Sequence, residues 1–130
     1  MSFDPPCRIL IVDDSPEDRA IYIRMLSGDR RQEYRFLETD TGEEGLRLGR
    51  DLRPDCLLLD YRLPDLDGLE FLERLAAETG EEAIPVIVLT GQGNESVAVQ
   101  AMKSGAQDYL LKGAISAESL ANVADSRPGA

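Results

Sequence analysis

DCLLLDYRLPDLDG, residues 55–68, is the most informative segment of the sequence for predicting the fold. Its first part, residues 55–60, carries apolar side chains on successive positions and ends in an acid. A strand of this pattern has to be covered on both faces, as happens in a parallel sheet with helices on either side. The turn residues at 64–68 follow, and then apolar spacing over 69–78 predicts a helix. The stretch therefore predicts a central strand of an α/β sheet and the helix after it.

The alternation of strand and helix continues in both directions from this stretch. Further strands are predicted at 8–12, 34–38, 85–90 and 108–111, and further helices at about 16–28, 43–50, 94–104 and 116–124. Five strand–helix pairs with short connections predict one open, doubly wound and mostly parallel sheet. The polar residues 125–130 are expected to form a flexible tail or a truncated linker, which leaves 1–124 as a single domain.

Composition narrows the classes of function. The chain has 130 residues, of which 42% are hydrophobic, and 25 acidic against 14 basic residues give a net charge of −11. This excess of negative charge argues against direct binding to nucleic acid or to anionic membrane surfaces. There is no histidine, so catalytic triads and histidine metal sites are excluded. Neither a secretory signal nor a membrane-spanning run is visible, and a soluble, cytoplasmic protein is expected.

Polar residues that can carry chemistry follow four of the predicted strands. Asp13 and Asp14 follow the first strand, Asp60 ends the third, Thr90 ends the fourth and Lys112 follows the fifth. The carboxyl ends of parallel strands share one edge of the sheet, which is where such folds bind ligands. Three carboxylates at that edge repel each other unless a cation joins them, and Mg²⁺ suits oxygen ligands of this kind. Residues 13–18 contain no glycine, which argues against a nucleotide-binding loop.

Four motifs in this order resemble those of the response-regulator receiver family: ILIVDDSPED at 9–18, LLLDYRLPDLDG at 57–68, VIVLTG at 86–91 and DYLLKG at 108–113. Together they span essentially the whole chain. The resemblance implies a flavodoxin-like fold with strand order 2-1-3-4-5. It also implies a phosphorelay function, in which a histidine kinase or a histidine phosphotransfer protein donates a phosphoryl group. An unknown downstream output protein or domain then reads the altered surface.

The resemblance also implies a role for each residue of the site. Asp60 is expected to be the phosphoacceptor, with Asp14 and Asp60 as direct Mg²⁺ ligands, Asp13 acting on the ion mainly through water, and the backbone carbonyl of Arg62 completing the protein ligands. On the far side of the acceptor, Thr90 is expected to be the switch hydroxyl that closes onto the phosphoryl group, and Lys112 is expected to pair with that group. Tyr109 is expected to be the switch aromatic.

Two further expectations concern single positions. On the first helix, Ile21, Tyr22 and Met25 are predicted to face the core and Ile23 to face solvent, where it could belong to a patch that docks the kinase. The family usually places a proline after the conserved lysine, whereas Lys112 is followed by Gly113. A trans peptide bond is expected there, because a cis bond before a residue other than proline costs about 3–4 kcal/mol.

Other interpretations of these residues stay open at this point. Asp13 and Asp14 could merely favour the start of a helix, Thr90 could be an ordinary strand residue, and Tyr109 could be a packing residue. A pseudo-receiver that binds partners without phosphorylation is the main alternative function. An aspartyl-phosphate hydrolase ranks last, because its DxD motif is missing: Tyr61 and Arg62 follow Asp60.

Overall fold

The computed structural model describes residues 5–80 and 83–124. Within these residues, five strands alternate with five helices. The strands are β1 (Cys7–Val12), β2 (Tyr34–Thr39), β3 (Cys56–Asp60), β4 (Val86–Thr90) and β5 (Asp108–Leu111), and the helices are α1 (Pro16–Ser27), α2 (Gly42–Leu52), α3 (Gly68–Thr79), α4 (Glu95–Lys103) and α5 (Ala117–Ala124). A short 3₁₀ helix, Lys112–Ala114, follows β5 and was not predicted. The predicted tail at 125–130 lies outside the described residues.

All five strands form one parallel sheet in the order β2-β1-β3-β4-β5, which confirms the predicted flavodoxin-like topology. Alternate residues of each strand point to opposite faces, so the sheet carries two apolar clusters. Leu10, Leu57 and Val88 belong to the cluster under α2, α3 and α4. The other cluster, which includes Leu58, joins the sheet to α1 and α5. Every residue of β3 is buried, as expected of a central strand covered on both sides.

Side-chain caps explain where the helices begin. The side chains of Ser15, Thr41, Asp67 and Asn94 accept hydrogen bonds from backbone N–H groups in the first turns of α1, α2, α3 and α4. The predicted elements are all present, with ends shifted by one or two residues, as is usual where helices and strands fray. Among the described residues, no helix has both the length and the apolar character that crossing a bilayer demands.

The orientation of α1 differs from the prediction. Tyr22 and Leu26 form its buried stripe, whereas Ile21 is 40% exposed and Ile23 packs partly buried against the core. The prediction that Ile23 faces solvent and Ile21 faces the core was therefore wrong. The predicted stripe does not contain Leu26. Successive residues of a helix are about 100° apart around its axis. On this scale Ile23 lies about 80° from the midline between Tyr22 and Leu26, and Ile21 lies about 120° from it.

Candidate functional site

The carboxyl edge of the sheet gathers the polar residues predicted from the strand ends. Asp13 follows β1, while Asp60 and Thr90 are the last residues of β3 and β4. All three are buried, with 1%, 7% and 3% of their surface exposed. Buried polar groups at strand ends are costly unless they have partners, so their concentration at one edge indicates a site. Asp14 is exposed at the rim of this site.

Three carboxylates form the candidate metal centre. One oxygen each from Asp13, Asp14 and Asp60 lies within 4.8 Å of the other two. Hard oxygen donors at this spacing are the ligand set that Mg²⁺ prefers, and a divalent ion would offset the repulsion between the acids. The donor chemistry therefore fits Mg²⁺.

Asp13 is already engaged by the protein through both of its carboxylate oxygens. Oδ1 accepts the backbone N–H of Ser15 at 2.9 Å, and Oδ2 accepts the ammonium of Lys112 at 3.1 Å. The hydroxyl of Tyr22 lies 3.4 Å from the same Oδ2 as a donor, and burial raises the pKa of Tyr22 above its ordinary value. These bonds support the expectation that Asp13 acts on a metal ion through water.

Burial makes Asp60 an unusually weak acid. Its removal from water and the nearby Asp13 raise the pKa of the carboxyl from 3.8 to about 6, against the opposing effects of Lys112 and the Arg62 N–H. The backbone N–H of Arg62 donates to Asp60 Oδ1 over 3.3 Å. At neutral pH, Asp60 therefore carries a charge that the protein stabilises poorly without a further cation.

Lys112 is the cation that the structure itself brings to the acids. Its ammonium lies 3.5 Å from Asp60 Oδ1 and 2.8 Å from Asp18 Oδ2, besides its bond to Asp13. Burial alone would lower the pKa of Lys112, but the bonds to Asp18 and Asp13 and the nearby Tyr22 raise it above its ordinary value. The lysine therefore stays charged across the neutral range.

Asp18 and the hydroxyl of Tyr22 contact the residues of the site and were not identified from the sequence. A signal for both was present, because Tyr22 was predicted to face the core and Asp18 precedes it by four residues. Residues four apart share one face of a helix. Asp18 belongs to the first turn of α1, which starts at the carboxyl edge, so this spacing places it over the acidic site.

A cleft of about 320 Å³ opens over Asp60. Its lining combines the acceptor, the candidate switch hydroxyl and the residues that follow β3 and β4, namely Asp60, Arg62, Thr90, Gly91, Gln92 and Lys112. The hydroxyl of Thr90 donates to the carbonyl of Gln92 at 3.2 Å and accepts its N–H at 3.3 Å. Thr90 thus bonds to the loop that follows it. The expected role of the Arg62 backbone carbonyl as a metal ligand stays a prediction.

Tyr109 and Ile23 lie outside this cleft. Tyr109, on β5, is half-buried and packs against the core cluster under α2, α3 and α4. This position is compatible with a packing residue and with a switch residue, so its predicted switch role stays a prediction. Ile23 packs against the opposite face of the sheet.

Gly113 is conformationally ordinary in this fold. The described residues contain no cis peptide bond, which confirms the trans bond expected after Lys112. Gly113 is exposed, has no positive φ, and a Cβ built on it would meet no heavy atom within 4 Å. Neither backbone strain nor crowding therefore requires glycine at this position.

Replacing Gly113 with alanine is accordingly expected to leave the site intact and to raise the free energy of unfolding by about 0.4–1 kcal/mol, because alanine restricts the unfolded chain. Urea unfolding of Gly113→Ala beside the unmodified chain measures this change. Gly45→Ala is the contrasting control, since a Cβ there would lie 2.7 Å from the Val12 side chain. A loss of stability in Gly113→Ala as large as that in Gly45→Ala would contradict the expectation.

Comparisons with known proteins agree on one family. Residues 9–124 match the family model described as response regulator receiver domain. Protein PilH of Pseudomonas aeruginosa is 36% identical over 105 residues, which cover 81% of this chain and 84% of PilH. The KDP operon transcriptional regulatory protein KdpE of Escherichia coli is 38% identical over 104 residues, which cover 80% of this chain and 44% of KdpE.

A solved structure gives the same result for the fold. The two-component response regulator of the LuxR family from Aurantimonas sp. superposes with a TM-score of 0.79 at 29% identity. The superposition covers 95% of this chain and 89% of that chain. The chain thus spans most of PilH and less than half of KdpE.

Proposed function

Because this chain belongs to the response regulator receiver family, we propose that it takes a phosphoryl group onto Asp60 from the phosphohistidine of a kinase or phosphotransfer protein, in a reaction that requires Mg²⁺. One observation carries the proposal. A buried carboxylate at the floor of an open cleft has two further acids within 4.8 Å and an ammonium at 3.5 Å. A charged nucleophile, a cation and room for a donor are what phosphoryl transfer needs.

The residues of the site have distinct parts in this transfer. A carboxylate oxygen of Asp60 attacks phosphorus, so that a P–O bond forms while the P–N bond to the donor histidine breaks. Lys112 faces the developing negative charge on the phosphoryl oxygens from one side of the acceptor. Asp14 and Asp60 would hold Mg²⁺ directly and Asp13 would act on it mainly through water, and the bound ion would supply the remaining positive charge. Gly91 carries no side chain at the mouth of the cleft, which leaves the approach open for the donor.

Signalling follows from the new charge on Asp60. A phosphoryl group adds strong acceptor oxygens, and Thr90 can reach them by giving up its two bonds to Gln92. We propose that this movement repacks Tyr109 and shifts the balance between two surface states, which a downstream output protein or domain distinguishes. The protein is then a signalling domain that assists its own phosphorylation. The proposal includes the cytoplasmic location that was predicted from the sequence.

Docking of the donor was predicted to involve Ile23. In the structure Ile21 is the more exposed isoleucine of α1, so the proposed contact with the kinase moves to Ile21. The domain boundary at residue 124 stays a prediction.

Incubation of the purified chain with acetyl phosphate, with and without Mg²⁺, tests the proposed function. Intact-mass measurement is expected to show the gain of one phosphoryl group in Mg²⁺ and none when Mg²⁺ is chelated. Beryllofluoride is expected to form a matching adduct. A folded sample that neither gains a phosphoryl group from acetyl phosphate nor binds beryllofluoride in Mg²⁺ would overturn the proposal and favour the pseudo-receiver alternative.

A further inference from the structure

The ammonium of Lys112 is held by a carboxylate that phosphoryl transfer itself does not use. Its shortest contact is to Asp18 Oδ2 at 2.8 Å, ahead of Asp13 at 3.1 Å and Asp60 at 3.5 Å. An ammonium has three N–H donors, and these three carboxylates match them in number. Asp18 lies outside the group of acids that converge on the candidate metal centre. Its contact with the site therefore runs through Lys112.

The segment that carries Lys112 contributes little to fixing this side chain. Lys112 opens the short 3₁₀ helix, which has no side-chain cap hydrogen bond, and the next residue is the exposed Gly113. A lysine stem is flexible, with four rotatable carbons before the charge. The position of the ammonium is accordingly set from across the site, by carboxylates far away in sequence.

Asp18 is well placed to act as such an anchor. Its backbone N–H donates to Ser15 Oγ at 3.2 Å in the first turn of α1, where Pro16 also restricts the backbone. A carboxylate is favoured at a helix N-terminus. One turn further on, the buried Tyr22 fastens α1 to the core. The carboxylate of Asp18 is thus attached to a rigid part of the molecule.

We propose that Asp18 is a positioning residue for Lys112: it holds the ammonium beside Asp60 and thereby raises the rate at which Asp60 is phosphorylated. The inference rests on the proposed function and deepens it. Asp18 and Asp13 together keep the ammonium within reach of the acceptor before a donor arrives, so less reorganisation is needed in the transition state. Asp18 thus supplies an anchor for the Lys112 ammonium, which the neighbouring exposed Gly113 cannot supply because it has no side chain.

The rate of phosphorylation by acetyl phosphate at saturating Mg²⁺ tests this role. Asp18→Asn is expected to lower the maximal rate about tenfold, because the loss concerns the placement of a group that acts in the transition state. The Mg²⁺ concentration that gives half the maximal rate is expected to change no more than in the control Glu17→Gln. Glu17 is exposed in the same helical turn, so the control removes the same charge without touching Lys112.

Urea unfolding of Asp18→Asn, Lys112→Ala and the double variant supplies a second measurement. Their losses of stability are expected not to add, since either change alone breaks the same ion pair. An Asp18→Asn rate within twofold of the unmodified chain, an equal loss in Glu17→Gln, or additive stability losses would each overturn the inference. Failure of the unmodified chain to gain a phosphoryl group would instead overturn the proposed function.

Discussion

Replacing Asp60 with asparagine is expected to abolish the Mg²⁺-dependent phosphoryl adduct and, at the same time, to stabilise the Mg²⁺-free protein. The first effect follows because an amide cannot serve as the nucleophile. The second follows because the fold buries the Asp60 carboxylate beside Asp13, and asparagine removes the charge while keeping the shape. One substitution should therefore separate the stability that is lost by burying the Asp60 carboxylate from the role of that carboxylate as phosphoacceptor.

The pH dependence of the stability gain can be derived from the shifted pKa. The pKa of Asp60 is about 6 in the folded protein, whereas it is about 3.9 in an unfolded chain. Between these values the folded protein binds more protons than the unfolded chain, so the Asp60 contribution to stability falls as the pH rises. An asparagine side chain does not titrate and has no such loss. The Asp60→Asn variant should nearly match the unmodified chain at pH 4 and exceed it by about 3 kcal/mol above pH 7.

Urea unfolding in a chelator at about pH 4 and about pH 8 measures this difference. Asp40→Asn is the matched control, because Asp40 follows β2 as Asp13 follows β1 but is exposed. Its carboxylate is not buried, so this substitution should bring no stability gain of the size seen in Asp60→Asn. Saturating Mg²⁺ should reduce the difference in the free energy of unfolding between Asp60→Asn and the unmodified chain. Asparagine is the poorer ligand, so the ion stabilises the unmodified chain more. A gain of equal size at both pH values would contradict the role assigned to the buried charge.

Replacing Lys112 with alanine is expected to have the opposite effect on stability. The change leaves the buried Asp13 and Asp60 without their cation, and the ammonium it removes is only one-fifth exposed. Removing one partner of a buried ion pair is strongly destabilising, and after allowance for this exposure we expect a loss of about 2 kcal/mol near pH 8 without Mg²⁺. Phosphorylation by acetyl phosphate should slow by about two orders of magnitude.

Mg²⁺ titration followed by urea unfolding distinguishes these effects from general damage to the fold. A divalent ion replaces the lost positive charge, so saturating Mg²⁺ should stabilise Lys112→Ala more than it stabilises the unmodified chain. Lys103→Ala is the control, because Lys103 is the other lysine of the chain and lies at the exposed end of α4. The stability of this variant and its response to Mg²⁺ should match those of the unmodified chain. Equal stabilisation of Lys112→Ala and the unmodified chain by Mg²⁺ would rule out the charge-balancing role of Lys112.

The order of the elements, the parallel sheet and the edge at which the polar residues meet were all predictable from the amino-acid sequence. These features follow from short-range patterns: apolar runs such as residues 57–59, breakers between them, and acids where strands end. Because the carboxyl ends of parallel strands share an edge, Asp13, Asp60, Thr90 and Lys112 could be placed together without coordinates. The trans bond before Gly113 was predictable for a similar reason, since it depends on the local cost of a cis peptide.

The rotation of α1 against the sheet could not be predicted from the sequence and depends on tertiary packing. The sequence assigned Ile21 to the core and Ile23 to solvent, and the packing of Tyr22 and Leu26 reversed that assignment. The same rotation brings Asp18 to within 2.8 Å of the Lys112 ammonium, 94 residues further along the chain. A helical period fixes which residues share a face, but the direction of that face is set by contacts with distant strands. The partner of Lys112 is therefore a property of the folded molecule.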